Sequence, residues 1–456
     1  MTKRIIGIDL AVSAAHKAMV FDPACAQFIG GQITFRARPD DLERLLRRAR
    51  QDAPAEVALI AILEATGMAW YPVAVYLERQ GVAVYRVNGQ KTKDFRRALW
   101  KHTGSDQIDS RVLALLYQIA PQRLSRCPLP QSDLLALQRA CRAYVHWREQ
   151  DVAMQNRIQA IDRWAWDGLQ KLVPAEAQSW LRQRWYNPWR VQAAGEAALT
   201  AAWTAAADQE VATDWIARWV ARAEQMTRLY GSEEMVGYDQ LQQTLCQALR
   251  LRSTYAQEQA RLTKEEIGPL YHKLYPDCPL RSIQGIGQQS AATYRAFIQD
   301  IDRFPTVAQF RLWCGIVPHS KQSGDGEAKG LPLTKAGPNL VKAALYLNAE
   351  VARQWDVQIA AIYHKQMVEY GKHHIQAVCA CASHLASRIY TVLKEQRLYQ
   401  LRDLQGKPIT VAESRELCLK YRVADEVRQR NNKRFRRNRT EQRMEARQAG
   451  RQKAAK

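Results

Sequence analysis

The chain has 456 residues, with 67 lysines and arginines against 45 aspartates and glutamates, so its net charge is +22. Hydrophobic residues make up 47% and charged residues 25%, which excludes a chain that is disordered throughout and predicts roughly two to four globular domains. The purest apolar run, residues 57–63, is far shorter than the ~20 residues of a membrane span. Nine cysteines without a C-x-x-C pair favour a reduced, cytoplasmic protein without structural zinc. The positive charge predicts a polyanionic partner, most simply nucleic acid.

The first 120 residues alternate between strand and helix patterns. Short apolar runs predict strands at residues 4–12, 16–21, 28–35, 57–63 and 82–87. Helical spacing of apolar residues predicts helices at 41–50, 68–80 and 106 to about 119. This βββαβαβα order is that of the ribonuclease-H-like fold, although strand-first patterns also fit many doubly wound sheets. The predicted fold class is therefore α/β at the N-terminus, followed by mainly helical regions.

Residues 131–276 are expected to be a helical, Trp-rich middle region that serves oligomerisation. Nine of the 13 tryptophans lie here, between Trp147 and Trp219. Tryptophans can stack on bases, but at helical spacing they more often pack helices together. From residue 277 a glycine-rich composition begins, with a loop around 320–330 and helices from 339 to about 401.

The last 36 residues, 421–456, hold 13 lysines and arginines against 4 acids. With few apolar residues, this basic tail is predicted to be a solvated arm, or one that nucleic acid orders. A helical tail that improves solubility is the alternative.

Four acids stand out in the N-terminal region. Asp9 lies within a predicted strand, where a carboxylate is costly unless it meets a cation or a donor, and Glu64 follows the strand at 57–63. Asp106 and Asp109 are three residues apart and share one helix face. Carboxylate ligands without His or Cys favour Mg²⁺ or Mn²⁺, and two such ions would clamp both reacting oxygens of a phosphodiester. Each acid alone has an ordinary surface explanation; the set predicts a catalytic metal site.

Positive charge precedes Asp106 and is predicted to guide a phosphate backbone towards the acids. An exposed, solvated surface is the alternative for this run. The residues predicted to contact nucleic acid there are Lys91, Lys93, Arg96, Arg97 and Lys101.

Gly285 and Gly287 flank Ile286 just before a helical pattern at 290–298. Such glycines let backbone N–H groups point out of a helix N-terminus, which is a natural phosphate site. The spacing resembles a helix-hairpin-helix DNA contact, while a tight turn without ligand is the alternative.

Ser323 lies in a glycine-containing segment with Lys321 and Lys335 nearby in sequence. A nucleophilic serine needs its proton removed and positive charge for the phosphate that it attacks. Ser320 competes for this role, and His319 is a candidate base. The chemistry alone makes this a weak signal, because Ser-Gly loops are usually turns.

Taken together, these motifs resemble those of the DEDD insertion-sequence transposases, the group that includes the Piv-type DNA invertases and the bridge-RNA-guided recombinases. The resemblance covers about residues 1–125 and 277–400. It rests on an order of motifs, namely Ile8-Asp9, Glu64, Asp106-x-x-Asp109, Gly285-Ile286-Gly287, Cys314-Gly315-Ile316-Val317-Pro318, Gln322-Ser323-Gly324 and Leu333-Thr334-Lys335-Ala336-Gly337-Pro338-Asn339.

The resemblance implies a Mg²⁺-dependent recombinase of a bacterial mobile element, associated with the nucleoid. Asp9, Glu64, Asp106 and Asp109 would hold the metal, and Ser323 would form a covalent phosphoserine. Donor and target double-stranded DNA, a structured guide RNA and a homo-oligomer, from dimer to tetramer, are the implied partners. The implied domains are a RuvC-like catalytic domain (1–130), a helical, coiled-coil middle (131–276) and a serine-bearing transposase domain (277–405). A basic C-terminal segment (406–456), which contains the basic tail, follows them.

Three alternatives remain open. An invertase of the same family would recombine DNA without RNA. A RuvC-like junction-resolving nuclease would use the same acids but hydrolyse DNA with water. A nucleic-acid-binding structural protein would need none of the four acids.

Overall fold

A computed structural model describes residues 2–64, 67–87, 89–99, 106–121, 124, 126, 129–207, 212–318, 322–323, 326–327, 331–334 and 337–454. The chain divides into two compact units. The first unit comprises Met1–Leu135, Cys278–Ile286 and Ile298–Lys456, and the second comprises Ala136–Asp277 and Gly287–Phe297. The backbone therefore passes between the units more than once.

The N-terminal part of the first unit is a mixed sheet with helices. Its elements are β1 (Lys3–Asp9), β2 (His16–Asp22), β3 (Gln27–Phe28), β4 (Ile33–Phe35), α1 (Pro39–Arg50), β5 (Ala58–Glu64), α2 (Trp70–Arg79), β6 (Ala83–Val87), α3 (Gly89–Leu99) and α4 (Asp106–Ile119). The strand order is β3-β2-β1-β5-β6, with β4 also paired to β2. Strands β1, β5 and β6 are parallel, and β2 runs antiparallel to β1.

The two faces of this sheet carry different cores, because successive strand residues point to opposite sides. Ile6 and Ile8 of β1 pack with apolar residues of α1 and α2. Ile5 of β1 packs with Ile60 and Ile62 of β5 and with α4. Helix α4 therefore covers the face to which the odd-numbered residues of β1 point.

Helix α4 lies directly on β1 at Gly7. A Cβ atom at Gly7 would lie 2.0 Å from the Ser110 carbonyl oxygen and 2.5 Å from the Ala114 backbone nitrogen. Ser110 is fully buried there. Only glycine permits this approach of helix backbone to strand backbone.

The second unit is helical. Its elements are α5 (Ser132–Ala165, starting in the first unit), α6 (Leu169–Leu172), α7 (Ala175–Arg184), α8 (Pro188–Ala206), α9 (Trp215–Tyr230), α10 (Tyr238–Arg261), a π-helical stretch (Leu262–Ile267), α11 (Gly268–Leu274) and α12 (Gln288–Ile298). Several of its tryptophans pack the interior, although Trp164 is exposed. The Trp166 and Trp219 rings stack with centroids 3.7 Å apart, and the Trp166 indole N–H donates to the Tyr186 carbonyl at 2.9 Å.

Helix α12 belongs to the second unit although the chain has by then re-entered the first. The Gln138 side chain of α5 donates to the Ala296 carbonyl at 2.8 Å. The Arg295 guanidinium lies 4.1 Å from the centre of the Tyr275 ring, and Arg142 lies 4.9 Å from that of Phe297. These contacts fasten α12 to segments far away in sequence.

The remainder of the first unit is mostly helical. Its elements are α13 (Val307–Trp313), the short strands β7 (Gln322–Ser323) and β8 (Gly326–Glu327), α14 (Asn339–Ala352), α15 (Val357–His364), a π-helical stretch (Lys365–Glu369), α16 (His374–Glu395), α17 (Val411–Leu419) and α18 (Asp425–Ala454). The predicted fold class is confirmed as a mixed α/β N-terminal region with a mostly helical remainder.

Two details differ from the sequence-based expectations. The run at 28–35 is broken into β3 and β4, and the basic run before Asp106 forms helix α3, which the sequence pattern did not indicate. The basic tail forms helix α18, which matches the helical alternative. Among the described residues, no helix is long and apolar enough to cross a membrane.

We predict that Gly7→Ala destabilises the first unit by about 1–3 kcal/mol, the cost of overpacking a core contact, because the new methyl group pushes α4 off β1. Gly31→Ala is the matched control, since nothing lies within 4 Å of its Cβ position. Differential scanning calorimetry of both variants checks this; equal melting temperatures would contradict it.

Candidate active site

Two of the four predicted acids end neighbouring parallel strands. Ile8 of β1 pairs with Leu63 of β5, so Asp9 and Glu64 each follow this pair by one residue. Alternation places both on the face that α4 covers. Asp9 and Glu64 are half-buried, and the carboxyl ends of parallel strands are a common place for a functional site in α/β sheets.

Asp109 is brought to the same face by α4. It directly precedes Ser110, whose carbonyl oxygen rests on Gly7, and Gly7 is two residues before Asp9 on the same side of β1. The α4–β1 contact thus fixes the backbone of Asp109 relative to Asp9. Asp106 begins α4, and its side chain lies outside the part of the chain that the structure describes.

The Asp109 carboxylate is engaged by Arg96 of α3. Nη1 of Arg96 donates to Oδ1 at 2.8 Å and to Oδ2 at 2.9 Å. The side chains are 28% and 26% exposed, so solvent weakens this ion pair only in part. Arg96 was predicted to contact nucleic acid, whereas in this structure its partner is the carboxylate of Asp109, one of the predicted metal ligands.

Glu64 lies against the beginning of α3. A Cβ atom at Gly89, the first residue of α3, would lie 2.3 Å from Oε1 of Glu64. The absence of a side chain at Gly89 makes room for the carboxylate, and the positive end of the helix dipole favours its charge. Helix α3 therefore contacts two of the predicted acids, one at each end of the helix.

The donor chemistry of this face fits a hard divalent cation, because its acids offer only oxygen ligands. Among the side chains that the structure describes, no three His, Cys, Asp or Glu residues form a group that could hold a metal ion. A cation bound at Asp109 would compete with Arg96 for that carboxylate. The assignment of Asp9, Glu64, Asp106 and Asp109 as metal ligands stays a prediction.

Ser323 lies in a short antiparallel pair, in which Ser323 of β7 is opposite Gly326 of β8. The base of this segment is closed by a bridge between Pro318 and Leu333 and by the Thr334 N–H, which donates to the Val317 carbonyl at 2.9 Å. Backbone pairing thus joins the two motifs that flank the serine in sequence. The side chain of Ser323 lies outside the described part.

Gly337 fastens the second of these motifs to α13. Its φ is +69°, and a Cβ atom there would lie 1.8 Å from the Trp313 carbonyl oxygen. Cys314, the next residue after Trp313, is fully buried, and burial raises the pKa of its thiol well above the ordinary value. Cys314 is therefore an inert packing residue rather than a nucleophile.

The two glycines of the predicted phosphate site have different surroundings. Gly285 has φ +87°, and a Cβ there would lie 2.7 Å from the Asn348 carbonyl oxygen. Its own carbonyl accepts from the Asn348 side chain at 2.5 Å, so close packing on α14 accounts for this glycine. Gly287 is exposed, with no atom within 4 Å of its Cβ position. Binding of nucleic acid at either glycine stays a prediction.

The other predicted contacts divide into two groups. Lys93 and Arg97 of α3 are exposed, as a phosphate contact requires. Lys91 also lies in α3, but its side chain is outside the described part. Lys101, Lys321, Lys335, His319 and Ser320 fall outside the described residues altogether.

The close packing of three glycines beside the predicted site residues, Gly7, Gly89 and Gly337, was not predicted from the sequence, where Gly337 appeared only as part of a motif. A signal was present at Gly7, since a glycine inside an apolar strand often marks a close backbone approach. At Gly89 and Gly337 the residues to be accommodated come from distant segments, so local patterns give no warning.

We predict that Gly337→Ala loosens the pairing at the base of the serine-bearing segment. The variant combines a positive φ with a clash on the Trp313 backbone, and we expect a cost of about 2–4 kcal/mol. Gly406→Ala is the control, because Gly406 shares a positive φ but has open space around its Cβ position. Hydrogen exchange at Thr334 should accelerate only in Gly337→Ala; unchanged exchange would refute this account.

Two family models of transposases match the chain. A family model for DEDD transposases of the IS110 type, described as Transposase, matches residues 6–161, and one described as Transposase IS116/IS110/IS902 family matches residues 278–364. Together they cover just over half of the chain, including all four acids and Ser323.

A curated relative from Streptomyces coelicolor, described as Insertion element IS110 uncharacterized 43.6 kDa protein, is 29% identical over 151 residues. This match covers 33% of the present chain and 36% of the relative, so the chain spans about a third of the length of the relative that it matches. On the two family models and this relative, the chain belongs to the IS110 family of DEDD transposases.

Proposed function

We propose that the chain is a transposase that cuts and rejoins DNA strands of a mobile element, in a Mg²⁺- or Mn²⁺-dependent reaction that passes through a phosphoserine at Ser323. The observation that carries the proposal is the position of Asp9 and Glu64 at the ends of adjacent parallel strands, under the helix that bears Asp109. In a member of this transposase family, such a cluster of acids is best explained as the centre of phosphodiester chemistry.

The N-terminal fold supports a ribonuclease-H/RuvC-like assignment for residues 1–130. The strands β1, β5 and β6 are parallel to one another, and β2 pairs with β1 in the antiparallel direction. Two of the acids, Asp9 and Glu64, lie at the ends of the adjacent central strands β1 and β5. We propose that 277–405 is the serine-bearing transposase domain and that 131–276 serves oligomerisation, with 406–456 as a basic extension.

The proposed reaction exchanges one ester for another. Ser323 Oγ attacks phosphorus and loses its proton, a Ser–O–P bond forms, the P–O bond to one DNA fragment breaks, and the freed DNA oxygen takes up a proton. A hydroxyl group of the recombining strand then attacks the same phosphorus and releases the serine. Because the ester conserves the bond energy, no ATP is required. A bound divalent cation would supply charge stabilisation to the phosphate oxygens.

Exposed basic residues are proposed to hold the phosphate backbone near the acids. Lys93 and Arg97 are exposed on α3. The first residue of this helix, Gly89, lies against Glu64, and its Arg96 pairs with Asp109. A cation held by Asp109 would leave Arg96 available to contact a phosphate. Lys321 and Lys335 are proposed to hold the phosphate backbone around Ser323. Gly285 and Gly287 are proposed to contact phosphates of the adjoining duplex.

We further propose that donor and target DNA are paired by a structured guide RNA, and that a dimer or tetramer assembles on them at the bacterial nucleoid. Membership in this transposase family supports both parts. Sequencing of nucleic acid that copurifies with the protein tests the RNA: a discrete RNA from the flank of the gene is expected. Unchanged recombination after RNase treatment would point instead to an RNA-independent invertase.

We predict a covalent protein–DNA adduct with duplex DNA and Mg²⁺, visible by denaturing gel electrophoresis. Ser323→Ala should abolish the adduct, because it removes the attacking oxygen. Asp9→Asn should reduce the adduct at least a hundredfold, because it removes a charged oxygen ligand. A fluorescence anisotropy measurement should show that both variants still bind DNA.

Two outcomes would overturn this assignment. Cleavage that persists in Ser323→Ala without an adduct indicates hydrolysis by water, as in a junction-resolving nuclease. Unchanged function after loss of all four acids indicates a binding protein rather than an enzyme.

We also predict that Arg96→Gln tightens Mn²⁺ binding severalfold in the absence of DNA, because the guanidinium competes with the cation for Asp109. Arg97→Gln, at the exposed neighbouring position, is the control with the same loss of charge. Electron paramagnetic resonance titration of free Mn²⁺ measures the affinity. Equal affinities in the two variants would exclude direct competition at Asp109.

A further inference from the structure

The C-terminal helix α18 is docked at its beginning. Asn431 is buried, and its Nδ2 donates to the carbonyls of Met367 at 2.7 Å and Lys372 at 3.1 Å. Asn432 Oδ1 accepts from the backbone N–H of His374 at 3.3 Å. These bonds tie α18 to the π-helical stretch Lys365–Glu369 and to the start of α16.

Two further contacts complete this attachment. The Phe435 ring lies over that of His373, with centroids 3.7 Å apart. Burial lowers the pKa of His373, so its ring is neutral near pH 7 and packs on Phe435 as an apolar surface. The Arg434 guanidinium donates to the Gly371 carbonyl at 2.8 Å. The direction in which α18 continues is therefore fixed by its own docked turns.

The face of α18 opposite the docked side is basic. Arg430, Lys433 and Arg437 follow one another at i, i+3 and i+7, which places them on one side of the helix, and all three are exposed. No acid occurs between Glu426 and Glu441. Arg437 pairs with Glu441 at 3.2 Å, but both side chains are largely exposed, so this pair is weak and easily exchanged.

We propose that this face, which we call the basic face of α18 (Arg430, Lys433 and Arg437), binds the phosphate backbone of duplex DNA. The proposal rests on the proposed function only in taking DNA as the substrate. Lysine and arginine side chains on a preformed helix contact phosphates without reading bases, so the binding is independent of sequence.

Helix geometry favours DNA over RNA as the duplex. An α-helix with side chains is about 10–12 Å across, which matches the major groove of B-form DNA at about 12 Å. The major groove of an A-form RNA duplex is deep and narrow, and the side chains of a protein helix cannot read it. Because α18 is already ordered by its docking, binding costs little conformational entropy.

The test uses the full-length chain with all three basic residues changed, Arg430→Gln, Lys433→Gln and Arg437→Gln. Affinity for a duplex of about 20 base pairs is measured by fluorescence anisotropy over a series of salt concentrations. Each lost phosphate contact reduces the magnitude of the slope of log K against log salt by about 0.9. The loss of three contacts should therefore reduce the magnitude of the slope by about 2–3. Two unrelated DNA sequences should give the same decrease.

A matched control separates local contact from net charge. Arg47→Gln, Arg48→Gln and Arg50→Gln remove the same charge from exposed positions at the end of α1, and should leave the slope nearly unchanged. An equal decrease in both triple variants, or none in the first, would overturn the proposal. So would a loss of affinity confined to an RNA duplex of the same length.

The outcome can be told apart from failure of the proposed function. Ser323→Ala should keep the full salt slope while losing the covalent adduct. Conversely, the triple variant on α18 should still form the adduct at low salt. If the triple variant on α18 has an unchanged salt slope and still forms the adduct, only the proposal for the basic face of α18 is rejected.

Discussion

The backbone contact between α4 and β1 at Gly7 is the constraint on which the rest of the site depends. Helix and strand lie so close that not even a methyl group fits between them, and this contact sets how Asp109 stands relative to Asp9. The parallel register of β1 and β5 then adds Glu64 to the same face. Helix α3 completes the arrangement, with Gly89 against Glu64 and Arg96 on Asp109. Backbone packing thus turns these carboxylates towards one face of the sheet, where one of them, Asp109, is paired with a guanidinium.

Much of the N-terminal region could be predicted, because its signals are local. The run at 57–63 is apolar on both faces, as expected for a central parallel strand, and α1 combines Pro39 at its start with a stripe of leucines. Asp9 could be singled out because a carboxylate within an apolar strand needs a reason. The tryptophans of the middle region also behave as helical spacing predicts, since Trp166 and Trp219 are fully buried.

What escaped prediction depends on contacts between distant segments. Among the described side chains of α3, Thr92 is buried and Phe95 is half-buried, so the basic residues around them conceal the helical period. Arg96 reads in sequence as one more phosphate ligand, and only the folded position of α4 gives it Asp109 as a partner. Similarly, Asn431 looks like part of a polar tail, yet its amide fills two backbone acceptors from a segment about sixty residues earlier.

The interleaving of the two units bears on how such elements evolve. Helix α12 packs against α5 and against Tyr275, which follows α11. The segments on either side of Gly287–Phe297 belong to the first unit, so the second unit is not one continuous stretch of sequence. A recombination event between related elements that exchanged only residues 136–277 would pair a foreign α5 with the resident α12. Productive exchange requires Gly287–Phe297 to travel with it, so inheritance of the middle region is coupled to the beginning of the serine-bearing half.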